Sequence, residues 1–393
     1  MNYLTNTEIA EKYGVSNPTV MRWINAAVEG KNNLQVEEFK NKFRVIDNRH
    51  NDAEMLRLTK KGKAFKPSLS RKVVKLSPDF YDLFTQVEVS DIANDLEYRR
   101  MVNLKYCYFN GGAYFWDKFY LKSHTETLSE MDQIIINSLQ DIIYYLGNCD
   151  INVIDIGPGN AYPLKHWMEN LKYRLKKYIA IDISKDIIKI STSNVAKWLP
   201  GTQTKGYQVD IENNRLSSIF LENRSQKHNV ANLIMFIGNT INNVDDRIQV
   251  LKNIRSGMVE NDHLVMSVSL DTPEQRSSLN YVKIEESEKH EEWLLEMLGL
   301  DVDKCTIRTF FDDEKRMKTK VMELDKSYTI IFDLFGESRE VELLVHENIN
   351  RWKHYLVSIP QLINELSIAG LQLASIKLTR DSNYAIVTAK AKY

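Results

Sequence analysis

Short apolar runs that close on a polar residue recur from Asn152 onward, separated by longer stretches whose apolar positions fall three or four apart. The first runs end at Asp155, Asp182 and Asp210, and Asn232–Ile237 and His263–Ser269 follow. Runs this short and this rich in β-branched residues read as strands buried on both faces, and the stretches between them as helices. The alternation predicts an α/β fold with a mostly parallel, doubly covered sheet. After a helix over 285–298, segments at 305–311, 318–324, 327–335 and 339–345 that alternate as strands predict a β-rich insertion at the sheet's carboxyl edge. A helix over 359–369 and strands over 371–379 and 383–391 then return the chain to the core. Residues 78–146 read as helical and aromatic-rich, with one irregular patch, Tyr106–Trp116, around Gly111 and Gly112. That patch is either a bend presenting rings to a ligand or an ordinary turn over the core.

The amino-terminal pattern is different. A helix from Thr7 to Gly14 and a second one capped by Ser16 or Asn17, with Pro18 in its first turn, place Ile9, Ala10, Tyr13, Val15, Val20 and Ile24 in a small shared core. Thr19, Arg22 and Trp23 are left on the outer face, and Lys42–Ile46, carrying Arg44, reads as a strand of a wing. This pair resembles a MerR-like or excisionase-like helix-turn-helix. Its DNA-binding residues are then Thr19, Arg22, Trp23 and Arg44. Eight basic residues from Arg57 to Lys75 suit a phosphate backbone. The alternative is a protein-docking module with a solvated basic tail. The expected divisions are 1–76 for the winged helix-turn-helix with its basic tail, 77–151 for a helical lid and 152–272 for the sheet core. A substrate-lobe insertion over 273–350 and completion of the core over 351–393 follow.

Composition narrows the function. With 52 basic and 53 acidic residues the whole chain has no electrostatic pull toward nucleic acid or membrane, so any such contact is local. Three scattered cysteines suit neither a disulfide framework nor a zinc cluster, and no apolar run approaches the ~18 residues of a membrane span. A polar start without an apolar signal segment makes a cytoplasmic protein the expectation.

The candidate chemistry lies at the first two strand ends. Val153–Ile156 runs directly into Gly157-Pro158-Gly159, and Tyr178–Ile181 closes on Asp182. Glycines let the backbone approach a ligand, and an acid on the next strand reaches ribose hydroxyls. The third glycine of a dinucleotide turn is missing, since Asn160, Ala161, Tyr162 and Pro163 follow Gly159. S-adenosyl-L-methionine has no phosphate to seat and fits this shorter turn, with Asp182 on the ribose and Asp210 beside the adenine amine. Taken singly, each aspartate is as well explained as a cap or surface residue. The histidines include no His-x-x-x-His, and neither a Gly-x-Ser-x-Gly elbow nor a Gly-x-x-x-x-Gly-Lys loop occurs, so no metal site, hydrolase or ATPase is expected.

Residues from about 100 to 393 resemble the histidine-specific methyltransferase family of ergothioneine biosynthesis. Tyr108-Phe109-Asn110 with Gly112-Ala113 is similar to its aromatic entry loop, and Tyr120 with Ser123–Glu126 to its tyrosine-proline-threonine-arginine segment. Asp155–Gly159 with Lys165, Ala180–Ser184 and Gly238–Asn243 follow its cofactor and asparagine loops, and His346–Trp352 its glutamate-x-serine segment. The resemblance implies a Rossmann-like class I methyltransferase sheet. It implies S-adenosylmethionine held by Asp155, Gly157, Gly159, Lys165, Asp182, Ser184, Asp210, Gly238 and Asn239. Tyr120, Asn243 and Glu347 become the catalytic set, with Tyr108, Ile349 and Trp352 around the acceptor. The plain alternative for Tyr120 and Glu347 is a packed ring and a solvent-facing acid. Ile349 replaces the serine that shares the imidazole with the glutamate, and losing that bond costs roughly 1–3 kcal/mol for a buried polar ring. The expected reaction is therefore methyl transfer to an amine of a small amino-acid-like or peptide acceptor other than free histidine. The alternatives are a DNA-binding regulator whose methyltransferase-like domain senses a ligand, and an RNA or protein methyltransferase. Gly238-Asn239-Thr240 after the fourth strand lacks the Asn-Pro-Pro-Tyr type of loop and argues against base methylation.

Overall fold

The computed structural model describes residues 3–39, 42–62, 71–123, 130–224, 230–238, 240–277, 283–284 and 289–393. Contacts divide the chain into two compact units, Met1–Ser70 and Arg71–Tyr393.

In the first unit the helices Asn6–Tyr13 and Asn17–Val28 meet through Ile9, Val20 and Ile24. Leu34, Val45 and Met55 complete this core, so the apolar spacing read from the sequence is used within the unit. Ser16 occupies the N-cap position of the second helix and Pro18 its first turn, where a missing N–H costs no bond. Lys42–Ile46 is a strand, paired antiparallel with Val36–Phe39 and with Tyr3–Leu4. Arg22 and Arg44 are exposed, and Arg22 donates to Thr19 Oγ1 at 3.1 Å. Trp23, expected on the outer face, is half-buried and packs on the core.

The second unit is built on a seven-stranded sheet. Its strands are β1 (Asp150–Ile156), β2 (Leu175–Asp182), β3 (Gln203–Gln208), β4 (Val230–Phe236), β5 (His263–Ser269), β6 (Leu371–Leu378) and β7 (Tyr384–Ala391). They lie in the order β6-β7-β5-β4-β1-β2-β3, and β7 runs antiparallel to both neighbours. Alternate residues serve opposite faces. Ile154, Ile156, Ile179 and Ile181 enter one apolar cluster with the helices Arg247–Arg255 and Ile359–Ile368. Val153, Tyr178 and Ala180 enter the other with Glu130–Leu146 and Lys185–Trp198. The chain moves outward from β1 to β3 and re-enters beside β1 as β4, which opens a crevice at the carboxyl ends of β1 and β4. The edge strand β3 stops at Gln208, leaving Asp210 in the following loop.

Two small sheets form a separate lobe. Lys283–Ile284, Thr306–Asp312, Met317–Glu323 and Asn348–Tyr355 make one antiparallel sheet. Glu337–Leu343, Ser327–Leu334 and Arg71–Lys75 make the other. Two expected boundaries therefore move. Arg71–Lys75, read as basic tail of the first domain, pairs parallel with Ser327–Ile331, where Arg71 pairs with Glu342 and Lys72 reaches Asp301 at 2.5 Å. Asn348–Tyr355 crosses the expected border at 350 and belongs wholly to the lobe. Lys63 and Lys66 lie outside the described residues, as do the side chains of Lys60 and Lys61. The expected lid also divides, because Phe80, Phe84, Tyr106 and Phe109 pack into the lobe with Trp293 and Phe332, whereas Glu130–Leu146 covers the sheet. No disulfide links Cys107, Cys149 and Cys305. Among the described residues, no helix is long and apolar enough to cross a membrane.

Candidate cofactor and acceptor site

The turn after β1 is shaped by what packs against it. Gly157 and Gly159 adopt φ of +60° and +55°, in the left-handed region that side chains disfavour. A Cβ on Gly159 would stand 2.4 Å from the Trp116 ring, so glycine is required there for space as well as for conformation. The Gly157 N–H donates to Ile181 O at 2.9 Å, tying the turn to β2. Asn160 is fully buried, and its Nδ2 donates to Asp117 Oδ1 at 2.8 Å, which joins the turn to the helix Gly111–Ser123 carrying Trp116.

A cavity of about 210 Å³ opens over this turn. Of the sequence-derived candidates it gathers Gly157, Gly159, Asp182, Asp210, Gly238, Tyr108, Tyr120 and Asn243. Asp182 accepts from the Ser184 N–H at 2.8 Å, and burial outweighs that bond, pushing its carboxyl up to about 7. Asp210 is held by Lys105 Nζ at 2.8 Å and accepts from the Glu212 N–H at 3.0 Å. The rings of Tyr108 and Tyr120 flank Trp116, with centroids 6.3 and 5.4 Å away. Burial raises both phenols, so each hydroxyl keeps its proton.

Other candidates stand elsewhere. Asp155 is buried behind the turn and accepts from Tyr178 Oη at 2.8 Å, so it braces β1 and β2 instead of lining the cavity. Burial is the largest effect on its carboxyl, which rises to about 7. Ser184 caps the helix Lys185–Trp198 and its hydroxyl donates to Tyr108 O at 2.6 Å, so it touches the site through Tyr108 and Asp182 and does not line the cavity. Lys165 lies over the rings of Tyr162 and Trp198. Glu347 turns away as well: its Oε2 lies 3.1 Å from Arg100 Nε and accepts from the Leu344 N–H at 2.8 Å. Ile349 is fully buried in the lobe's apolar core and does not line the cavity. Trp352 borders a small adjoining crevice and stacks on His354 at 5.3 Å. Asn239 and His124–Glu126 lie outside the described residues.

Sequence reasoning did not assign three residues that shape the site: Trp116, Lys105 and His354. Trp116 sat within the aromatic patch, and the bulk it places over Gly159 was the available signal. Lys105 carried none, because its partner Asp210 lies 105 residues on. His354 bonds through Nδ1 to Asn243 Oδ1 at 2.9 Å, and burial pushes its imidazole down to about 4. A neutral ring donating from Nδ1 leaves the Asn243 amide N–H2 available as a donor. Among the described residues no group of three His, Cys, Asp or Glu side chains converges as metal ligands.

Residues 89–390 match the family described as histidine-specific, SAM-dependent methyltransferase. No curated protein matches the sequence. Solved structures with a similar course include a S-adenosylmethionine-dependent methyltransferase from Clostridium acetobutylicum, 11% identical with a TM-score of 0.43 over 72% of this chain and 98% of that one. DesVI from Streptomyces venezuelae is 12% identical with a TM-score of 0.39, over 72% and 100%. Magnesium protoporphyrin IX methyltransferase from Synechocystis, which carries S-adenosylhomocysteine, is 12% identical with a TM-score of 0.37, over 73% and 97%. The glycine turn, the acid closing β2 and the asparagine loop thus fall within one match that spans most of the sequence, and the chain belongs to the SAM-dependent, histidine-specific methyltransferase family.

Proposed function

We propose that the protein transfers a methyl group from S-adenosyl-L-methionine to an amine of a small amino-acid-like or peptide acceptor other than free histidine. The observation carrying this reading is the cavity that joins Gly157, Gly159 and Asp182 on one side to Tyr120 and Asn243 on the other. Those residues fit the cofactor: the turn at Gly159 leaves no room for a side chain, and Asp182 offers an acceptor for ribose hydroxyls. When bound, the cofactor supplies a methyl group already activated on a sulfonium. The protein's work is then alignment and exclusion of water. Tyr120 and the Asn243 amide orient the acceptor, while Trp116 and Tyr108 wall the site with rings. The acceptor amine attacks in its neutral form and its proton passes to solvent, because Tyr108 and Tyr120 are already protonated. Histidine is disfavoured because Glu347 is engaged by Arg100 and Ile349 lies in the lobe core, so neither position offers an imidazole a partner. A turnover screen of the full chain with amino acids, peptides and small amines tests this. Formation of S-adenosylhomocysteine with one amine class is expected. Free histidine as the best acceptor would overturn the acceptor assignment, and cofactor binding without turnover would favour a ligand sensor.

The exposed Arg22 and Arg44 support a second, independent role for the first unit in contacting DNA. Charge reversal at both positions in the full chain is expected to abolish salt-dependent retention on DNA fragments; retention that is unchanged would favour a protein partner.

A further inference from the structure

Trp116 is held against the glycine turn by its neighbours on both sides. The rim atom Cη2 of its six-membered ring stands 2.4 Å from where a Gly159 Cβ would lie, with Cζ3 and Cζ2 at 3.0 and 3.3 Å, so the turn meets the indole's edge and not its face. The next residue, Asp117, accepts from Asn160 Nδ2 at 2.8 Å, and Asn160 O accepts from Asn194 Nδ2 at 3.0 Å. These bonds fix the helix Gly111–Ser123 on the turn, so the ring has lost its freedom before any ligand arrives. Trp116 lines the cavity together with Tyr108 and Tyr120, whose centroids lie 6.3 and 5.4 Å from its own.

The carboxyls of the cavity lie elsewhere. Asp182 closes β2, and Asp210 and Glu212 follow β3. Asp210 is paired with Lys105 Nζ at 2.8 Å, and Glu212 accepts from the Asp245 N–H at 3.2 Å. Burial holds the Asp182 carboxyl up to about 7, so at neutral pH it carries only part of a charge. Among the described residues that line the cavity, the glycine turn and the helix bearing Trp116 contribute no acid. A sulfonium is a fixed cation with no proton to donate or lose, and it is joined to the ribose through one methylene. A sugar on Asp182 therefore keeps that charge on the side of the cavity where Tyr108 feels the Asp182 field. Aromatic faces attract a desolvated cation, and tryptophan does so most strongly.

We propose that Trp116 recognises the charge of the sulfonium through its ring face, with Tyr108 and Tyr120 beside it, and so tunes the protein's choice between S-adenosyl-L-methionine and its neutral product. This rests on the reading of the cavity as the S-adenosyl-L-methionine site. In transfer the amine lone pair forms the new N–C bond, and the electron pair of the broken C–S bond stays on sulfur. The thioether that results is neutral, so Trp116 loses its electrostatic hold at the stage when the product has to leave.

The test is calorimetry on the full chain with two probes, S-adenosyl-L-methionine and S-adenosylhomocysteine, which differ by the methyl group and the charge. The quantity read is the ratio of their dissociation constants. Trp116→Leu keeps apolar bulk but removes the ring, and it is expected to shift that ratio about 10-fold against S-adenosyl-L-methionine, with S-adenosylhomocysteine within about threefold of the parent. Trp116→Phe keeps a weaker face and should recover part of the shift. A ratio unchanged in Trp116→Leu, or both ligands weakened alike in the two variants, would show that the indole serves by shape alone and would overturn the proposal while leaving the cofactor site standing. Failure of both ligands to bind the unaltered protein would sink the cofactor reading and the proposal with it.

Discussion

The two walls of the cavity are built by different means. On the sheet side the ligand-facing groups are backbone and near-backbone: two glycines with positive φ and an acid on the last residue of a strand. On the other side they are side chains held by partners distant in the chain, such as Lys105 on Asp210 and Asn243 on His354. A backbone-defined wall follows from local sequence, because few residues tolerate its conformation. A wall of long side chains follows from partners far along the chain, and one altered partner redirects it.

The contrast can be broken most forcefully at Gly159. Gly159→Val adds bulk against Trp116 at a positive φ, and cofactor affinity is expected to fall on the order of 100-fold by calorimetry. Retained affinity would mean the turn is not the wall. On the lobe side, Ile349→Ser restores the polar residue of the family's segment, but the position is fully buried among apolar groups. Stability in urea should drop by about 2–4 kcal/mol with no gain in histidine binding. Saturable histidine binding by this variant would place position 349 in the acceptor site after all. Glu347→Gln weakens a half-buried ion pair and should lower stability by roughly 1–3 kcal/mol while leaving the cofactor's Kd within about twofold. A large loss of acceptor turnover at unchanged stability would instead return Glu347 to the substrate.

The smallest expected effect sharpens the sheet side through pH. Asp155 and Asp182 hold their protons up to about 7 in the folded protein, against 3.8 for an ordinary aspartate. Between those values the folded state binds more protons than the unfolded one, so stability falls as pH rises and levels off above about 7. Asp182→Asn removes one share of that slope, and the melting temperature of the cofactor-free protein should change less between pH 5 and 8 than in the parent. The difference is on the order of a few degrees. Equal slopes would show that Asp182 ionises normally.

Much of the sheet was legible in the sequence, since β-branched runs at Val153–Ile156 and Tyr178–Ile181 can be satisfied only by burial on both faces. Four of the lobe strands were legible to within two residues, whereas Asn348–Tyr355 was not read as a strand. Arg71–Lys75 was not, since its parallel partner at Ser327–Ile331 lies some 250 residues on and five residues with three bases read as a polar tail. At the site, the glycines could be located because the turn dictates their conformation, and Asp182 because it closes the neighbouring strand. Motif correspondence placed Glu347 and Ile349 at an acceptor, yet Arg100 and the lobe core claim them, and neither influence is visible from the segment itself. His354 was missed for the same reason: its meaning comes from Asn243, 111 residues earlier.

The central claim is that S-adenosyl-L-methionine lies across the ends of β1 and β2 with its sugar on Asp182. Calorimetric titration of the cofactor into the full chain and into Asp182→Ala tests it most directly. Saturable one-to-one binding to the parent, weakened at least ~10-fold in the variant, is the predicted result. Equal binding to both proteins would contradict the placement.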